Sequence, residues 1–462
     1  MIKEATMIAS SKLTEKALGF ITVITLTHMF APVEMGKFFF YFSLISLLLP
    51  LMDFGLKKLY VVKAKELDKS DKRMMMGTML IAKLSCGIVV LLSALSIEML
   101  LHYSQPSILA VTLCFVCIFM EEVAQLFRSN DHLNEVYSVE VAAPVINKLG
   151  CLLTIIILKN HIKDIESALL VYCAFCSLGA CVSSISLRGT WPIFSKGHIA
   201  KQSKSIIKEG FPYSITGLFV MISFYVDSVI LGYFSFAETG TYNAAFRIVI
   251  VFGFLSAGLS HVLFTRLSKN QQGFAASLNK LTPFLLTIFT SIAIGVFSLS
   301  EGLIDLVYSD EYGEAASIIA ILAPFILFSA LSNVFAHSLE ALGKQKEVMR
   351  LNSYTSLFNL VANLIFIPFW GMYAAAVTTV LTELANTILS YKAIRKEDEN
   401  LKIRISPFLC CFITSMLVAG YFASQLHLLA GVMLGALIFF PLLLIQTRLQ
   451  NEHKEESVKC VS

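Results

Sequence analysis

Apolar residues fill most of this chain in long stretches that short polar segments interrupt. Each stretch is close to the roughly 20 residues that a helix needs to cross the hydrocarbon core of a bilayer. The pattern predicts fourteen membrane-spanning helices, at residues 10–30, 38–60, 75–101, 107–128, 139–158, 166–187, 211–233, 240–266, 279–299, 315–337, 350–371, 374–394, 404–424 and 428–447. Between the spans 350–371 and 374–394 the turn signal is Trp370-Gly371.

The composition supports a membrane protein. Hydrophobic residues make up 56% of the 462 residues and charged residues 15%, whereas soluble domains are about 45–50% apolar and about 25% charged. The mean hydropathy is +0.74. The polar segments between spans are short, and none on the predicted external side is long enough to fold as a domain of its own.

Lysine and arginine are distributed unevenly between the two sides that the spans define. With a cytoplasmic N-terminus, 30 of the 36 fall on the cytoplasmic side, and Lys37, Lys159 and Lys163 fall on the other side. Positive residues are enriched in cytoplasmic loops of membrane proteins. We therefore predict that both termini are cytoplasmic. The aromatic cluster 38–41 is then expected to anchor the chain at the outer interface.

An internal repeat divides the chain. The turn FAPVEMGKF at 30–38 resembles FSFAETGTY at 234–242, which places Gly36 on Gly240. A second match pairs Glu135, Val136 and Asn147 with Glu347, Val348 and Asn359. The offsets of 204 and 212 residues predict two parallel six-helix repeats with a substrate cavity between them. The expected parts are an N-lobe at 1–187, a cytoplasmic linker at 188–208, a C-lobe at 209–396, a C-terminal hairpin of two spans at 397–447 and a cytoplasmic tail at 448–462.

The ten cysteines do not form a disulfide framework. Cys114 and Cys117, like Cys173 and Cys176, have the spacing of metal or redox sites, but no His accompanies either pair in the sequence. We interpret them as small packing residues, and we predict no metal site.

Several short motifs follow one another in an order typical of a known family. They are Gly36-Lys-Phe38, Asp53-Phe-Gly-Leu56, Pro212, Asp227-Ser-Val-Ile-Leu-Gly232, Gly240-Thr-Tyr242-Asn-Ala-Ala-Phe-Arg247, Ala341-Leu-Gly-Lys344 and Gly371-Met-Tyr-Ala-Ala375. Through them the chain resembles, over essentially its whole length, the polysaccharide (O-antigen, Wzx-type) flippases of the multidrug/oligosaccharidyl-lipid/polysaccharide (MOP) exporter superfamily.

The resemblance implies a V-shaped, alternating-access transporter and not an enzyme. Its substrate would be an undecaprenyl-diphosphate-linked oligosaccharide, moved from the cytoplasmic to the periplasmic leaflet of the bacterial inner membrane. It further implies coupling to H⁺ or Na⁺, no other cofactor and no nucleic acid. A polysaccharide polymerase and a chain-length regulator are the expected protein partners.

Moving a lipid diphosphate through a bilayer requires cationic groups that face the cavity. The candidates are Arg247, Lys148, Lys83 and Lys16. For Arg247 the alternative is a structural ion pair with Asp227, since both residues lie at a similar depth in neighbouring spans. For Lys83 and Lys16 the alternative is snorkelling to the cytoplasmic edge.

An ion-coupled carrier also needs an acid inside the membrane, and Asp227 and Glu383 are the candidates. Glu383 could equally be a packed, neutral acid. Asn359 and Asn363 lie four residues apart, on one face of their helix. They either line the sugar path or form hydrogen bonds between helices.

Other functions fit the sequence less well. A multidrug or cation antiporter would favour a cavity lined with carboxylates. The flippases of peptidoglycan precursors also have fourteen spans, but their arginine-rich first lobe is missing here. A polysaccharide polymerase or glycosyltransferase, from a different class, would need a long external loop with catalytic groups. The longest one here, 300–314, has acids but no arginine.

Overall fold

The computed structural model describes residues 2–101, 107–134, 137–188, 190–269, 274–398 and 401, and in these residues every regular element is helical. The helices are α1 Ile2–Thr27, α2 Pro32–Asp53, α3 Leu56–Lys63, α4 Lys69–Leu101, α5 Ile108–Asn134, α6 Ser138–Leu158, α7 Ile165–Ser183, α8 Lys196–Phe234, α9 Phe236–Lys269, α10 Phe274–Ser298, α11 Ser300–Val307, α12 Ala315–Ala341 and α13 Gln345–Glu397. Short 3₁₀ helices occupy Ala64–Glu66, Ser184–Leu187 and Asp310–Tyr312.

These helices confirm an all-α membrane fold. The first twelve predicted spans each overlap one of the long helices. Within the described residues, nine helical stretches are long and apolar enough to cross a membrane. The predicted spans 404–424 and 428–447 lie outside the described residues, so the total of fourteen stays a prediction.

Gly371 divides the long helix α13 in two. Its φ of 52° and ψ of −134° are not helical, and this region of backbone space is essentially restricted to glycine. A Cβ atom at this position would lie 2.0 Å from Oε2 of Glu238. The separation of two spans at Trp370-Gly371 is therefore confirmed.

Replacing Gly371 with alanine should lower the free energy of unfolding by about 1–3 kcal/mol, because the new side chain strains the backbone and displaces Glu238. Thermal unfolding of the detergent-solubilised protein measures the change. Gly295→Ala, in the last turn of α10, is the matched control because its Cβ meets no atom within 4 Å. Equal melting temperatures for the two variants would contradict the prediction.

The chain forms two compact units. One consists of Met1–Asn243 with Asn363–Gly371, and the other of Ala244–Ala362 with Met372–Ser462. The lobe boundaries expected from the repeat remain a prediction.

Helix α2 runs through the first unit. The four aromatic side chains at 38–41 are at most 5% exposed, so their expected role as interface anchors is wrong. They pack inside the protein, where Phe40 and Tyr41 lie against the ring of Phe236. Helix α2 ends at Asp53 and is followed by Phe54 and Gly55, both with positive φ. These two residues separate α2 from α3.

Candidate functional site

Lys83 lies at the centre of a buried ion network in the first unit. Its side chain is fully buried, and its ammonium nitrogen lies 2.9 Å from Asp53 Oδ1 and 2.9 Å from Glu122 Oε2. Lys57 contacts the other oxygen of Glu122 at 3.2 Å and donates to Gln125 Oε1 at 2.8 Å. The network joins α2, α3, α4 and α5.

The expectation that Lys83 snorkels to the membrane edge is wrong. Two carboxylates hold its charge in the interior, because Asp53 ends α2 and Glu122 faces it from α5. The ion network therefore gives Lys83 a structural role, and its predicted contact with the substrate stays a prediction.

Lys148 has a different environment. It projects from α6, and its ammonium nitrogen lies 4.9 Å from the centre of the Tyr172 ring on α7. In the described part of the chain it forms no ion pair shorter than 4.0 Å. A cation over an aromatic face gains about 0.5–2 kcal/mol, which is less than a charged partner would give. Lys148 is thus a partly buried cation with an aromatic contact, and the carboxylates of Glu15 and Glu121 act on it from a greater distance.

The remaining two cations lie in different parts of the chain. Lys16 is on an exposed face of α1. Arg247 is partly buried on α9 and close to Tyr308, which follows α11. Burial raises the pKa of the Tyr308 hydroxyl, and the positive charge of Arg247 lowers it in part. That hydroxyl donates to the carbonyl oxygen of Ala244 at 3.0 Å, so Arg247 lies beside an ordered polar group.

Asp227 is the most enclosed of the candidate acids, with 3% of its surface exposed. The hydroxyl of Tyr242 donates to its Oδ2, and the backbone N–H of Ser228 donates to its Oδ1 at 2.7 Å. The Ser228 hydroxyl in turn exchanges hydrogen bonds with the amide of Asn243. This network joins the neighbouring helices α8 and α9. The predicted ion pair between Asp227 and Arg247 stays a prediction.

Sequence reasoning missed Tyr242 as a partner of Asp227. The signal was available, because Ser235 separates the two helices. Asp227 lies eight residues before Ser235 and Tyr242 seven residues after it. Residues at equal distances from a tight turn lie at the same depth on antiparallel helices.

Glu383 and the two asparagines also lie in polar contacts. The Ser332 hydroxyl on α12 donates to the carboxylate of Glu383. Asn359 is 2% exposed and donates to Thr382 Oγ1 at 3.2 Å, which links the two halves of α13. This contact favours the hydrogen bond between helices over the sugar path for Asn359. Asn363 is fully buried.

The structure brings the two cysteine pairs together. Cys117 on α5 and Cys173 on α7 have their sulfur atoms 3.4 Å apart, and the thiol of Cys173 also contacts the carbonyl oxygen of Leu113 at 3.2 Å. Cys114 and Cys176 are buried beside them. Among the described residues, no group of three or more His, Cys, Asp or Glu side chains has the arrangement of a metal site.

With these positions known, comparison with known proteins places the chain in a family. The sequence pattern of the polysaccharide biosynthesis protein family matches residues 1–271, which is more than half of the chain. The chain belongs to this family. The MatE pattern matches residues 212–365, so the two matches overlap at α8 and α9 and together cover 1–365.

Two curated proteins are similar to parts of the chain. It is 24% identical over 237 residues to the probable low-salt glycan biosynthesis flippase Agl15 of Haloferax volcanii, covering 48% of this chain and 50% of that protein. It is 28% identical over 190 residues to the probable flippase AglR of the same organism, covering 38% and 39%. The chain thus matches about half or less of the length of these curated relatives.

Solved structures show the same fold over a greater length. The lipid II flippase MurJ, in an inward closed conformation, superimposes with a TM-score of 0.83 at 15% identity, over 96% of this chain and 98% of that chain. A MOP superfamily transporter from Pyrococcus furiosus gives a TM-score of 0.56 at 14% identity, over 87% and 97%. This member of the polysaccharide biosynthesis protein family therefore has a MOP-type transporter fold and is a multi-pass membrane protein.

The family match contains most of the candidate site. Lys16, Lys83, Lys148, Asp227 and Arg247 fall within the part that matches the polysaccharide biosynthesis protein family. The remaining candidates lie elsewhere: Asn359 and Asn363 fall in the MatE match, and Glu383 lies beyond both matches.

Proposed function

We propose that this protein is a flippase that moves a lipid-linked oligosaccharide across the membrane. The substrate class is a polyprenyl diphosphate carrying a sugar chain, with undecaprenyl diphosphate as the lipid and an O-antigen or related surface-polysaccharide unit as the sugar. Movement runs from the cytoplasmic to the periplasmic leaflet of the bacterial inner membrane. Family membership and the MOP-type fold support transport, with no covalent step.

The environment of Lys148 carries this proposal. An ammonium group inside a membrane protein is costly unless an anion compensates it. The described contact of Lys148 is the face of Tyr172, and the carboxylates of Glu15 and Glu121 act on its charge from beyond 4.0 Å. A diphosphate that entered the cavity would add negative charge within contact distance of the ammonium group. Arg247 is the second cation of the proposed pathway, since guanidinium binds phosphate through two parallel hydrogen bonds.

The driving force in this proposal is an H⁺ or Na⁺ gradient, with no other cofactor. Asp227 and Glu383 are the acids that would respond to the ion, since each is a carboxylate inside a span and in a hydrogen-bonded setting. Both chain termini lie in the cytoplasm. A polysaccharide polymerase and a chain-length regulator are proposed as partners that use the product.

Replacing Lys148 with glutamine tests the proposal. The variant should reduce the display of surface glycan by about tenfold, because a hydrogen bond between charged groups contributes roughly 1.5–3 kcal/mol. The measurement is complementation of a strain that lacks the gene, with the glycan quantified on cells and the protein quantified in membranes. Lys346→Gln, at an exposed lysine near the start of α13, is the matched control.

One result would contradict the role of Lys148, and another would contradict the flippase function. Normal glycan display by Lys148→Gln at equal membrane abundance would remove Lys148 from the substrate pathway. If deletion of the gene leaves every surface glycan unchanged, the flippase function itself is wrong.

A further inference from the structure

The two copies of the repeated turn meet each other in the first unit. A Cβ atom on Gly36 of α2 would lie 1.7 Å from the carbonyl oxygen of Phe236, and a Cβ on Gly240 of α9 would lie 2.0 Å from the carbonyl oxygen of Pro32. Real Cβ atoms essentially never approach closer than 3.0 Å. The backbones of α2 and α9 therefore touch at positions that accept no side chain.

This contact is reciprocal. Pro32 and Phe236 are the first residues of α2 and α9, and the offset of 204 that relates Gly36 to Gly240 also relates Pro32 to Phe236. Each glycine thus contacts the first residue of the opposite helix. Such a self-complementary arrangement is what a two-fold axis between equivalent elements produces. We call these four residues, Pro32, Gly36, Phe236 and Gly240, the glycine crossing.

An aromatic layer lies one helical turn further in. Phe40 is fully buried, and its ring centre lies 5.6 Å from that of Phe236. Phe40 occupies the space that a side chain at Gly232 would need, since a Cβ there would lie 2.3 Å from the Phe40 ring. The crossing and the ring of Phe40 form two successive layers at the end of α2 predicted to be external.

We propose that the glycine crossing is the external gate of the transporter, closed in this structure, and that α2 and α9 separate there when the glycan leaves. The inference rests on the proposed flippase function. Both repeats have this turn. The charged residues Asp227 and Arg247 are not repeated, because the same offset pairs them with Val23 and Ser43. A feature kept in both copies serves the motion that both repeats perform.

The chemistry of the contact suits a gate. Glycine lets membrane helices approach closely, and the attraction then comes from many weak van der Waals contacts. A gap of 0.5–1 Å removes roughly a quarter to a half of each such contact. The crossing is therefore tight when closed, and it opens without having to separate an ion pair among its four residues.

Thiol labelling tests the gate without any substrate. Phe40→Cys removes the aromatic layer, so that the glycine crossing alone shields the cysteine from a charged, membrane-impermeant thiol reagent added to intact cells. Adding Gly36→Ala or Gly240→Ala should raise the labelling rate at least about tenfold, because the new methyl group holds the helices apart. Gly19→Ala and Gly295→Ala are matched controls, since a Cβ at either position meets no atom within 4 Å.

A second variant avoids any change at the glycines. Val33→Cys with Ala237→Cys places one thiol on each first turn, next to the crossing. A flexible reagent that joins the two cysteines through cleavable disulfides should stop glycan display, and a reductant should restore it. In the labelling experiment, the single variant Phe40→Cys gives the baseline rate. The parent protein gives the background rate from the native cysteines.

The results separate the gate from the function. The gate is wrong if Phe40→Cys alone labels at the maximum rate, if neither alanine raises the rate, or if the cross-linked protein still supports display. Raised labelling in a protein whose deletion has no effect on glycans supports the gate and rejects the flippase. Normal complementation by alanine variants whose labelling rate is unchanged supports the flippase function and rejects the gate.

Discussion

Replacing Lys83 with methionine is expected to lower the free energy of unfolding by about 3–5 kcal/mol. Removing one partner of a buried ion pair leaves an uncompensated charge in the interior. Among the described residues, Asp53 and Glu122 would then keep Lys57, whose ammonium lies 4.0 Å from Asp53 and 3.2 Å from Glu122. The measurement is the thermal stability of the solubilised protein together with its abundance in membranes.

Two further variants make this prediction sharp. Lys37→Met breaks a partly exposed pair, in which Lys37 lies 2.7 Å from Glu34, and should cost less than about 1 kcal/mol. Combining Lys83→Met with Glu122→Gln should recover part of the lost stability, because it removes a positive and a negative charge together. A stable Lys83→Met protein that fails to display glycan would instead return Lys83 to the substrate pathway.

The helical architecture could be predicted because the bilayer imposes it. Each span must satisfy its own backbone hydrogen bonds, so length and hydropathy reveal helices without knowledge of their partners. The break at Gly371 was also visible, since a glycine after Trp370 interrupts an otherwise continuous apolar run. Both are local properties of the chain.

The environment of the charges was not visible in the same way. The sequence gives the depth of Lys83 along α4, but not that α2 ends at Asp53 and turns into α3 beside it. Depth alone suggested snorkelling, whereas the packing of four helices gave Lys83 two carboxylates. The aromatic residues 38–41 were misplaced for the same reason, because their positions along α2 say nothing about what covers them.

The repeat was predictable from the sequence in part only. Its motif is visible in the sequence, and the matching of Gly36 with Gly240 is sufficient to predict equivalent helices. What the glycines are for depends on the contact between two elements about 200 residues apart. Only the contact shows that neither Gly36 nor Gly240 has room for a side chain.

Replacing Asp227 with asparagine is expected to abolish glycan display while leaving the protein folded in the membrane. Asparagine has nearly the same shape, and its oxygen can still accept from Tyr242 or from the N–H of Ser228. It cannot bind a proton or attract a cation as a carboxylate does, so ion coupling would be lost. The measurement is complementation, followed by substrate movement in vesicles under an imposed H⁺ or Na⁺ gradient, where a loss of about 100-fold or more is expected.

Tyr242→Phe is the matched control for this change. It removes a hydrogen bond to Asp227 but keeps the carboxylate, and a typical hydrogen bond contributes about 0.5–1.5 kcal/mol. If Asp227 couples the ion, Tyr242→Phe should keep most of the activity, and Asp227→Glu should keep more than Asp227→Asn. If the network only joins α8 to α9, Tyr242→Phe and Asp227→Asn should lower thermal stability by similar amounts, and both should still transport. Normal display by Asp227→Asn would leave Glu383 as the acid to test, because its carboxylate accepts from Ser332 on a different pair of helices.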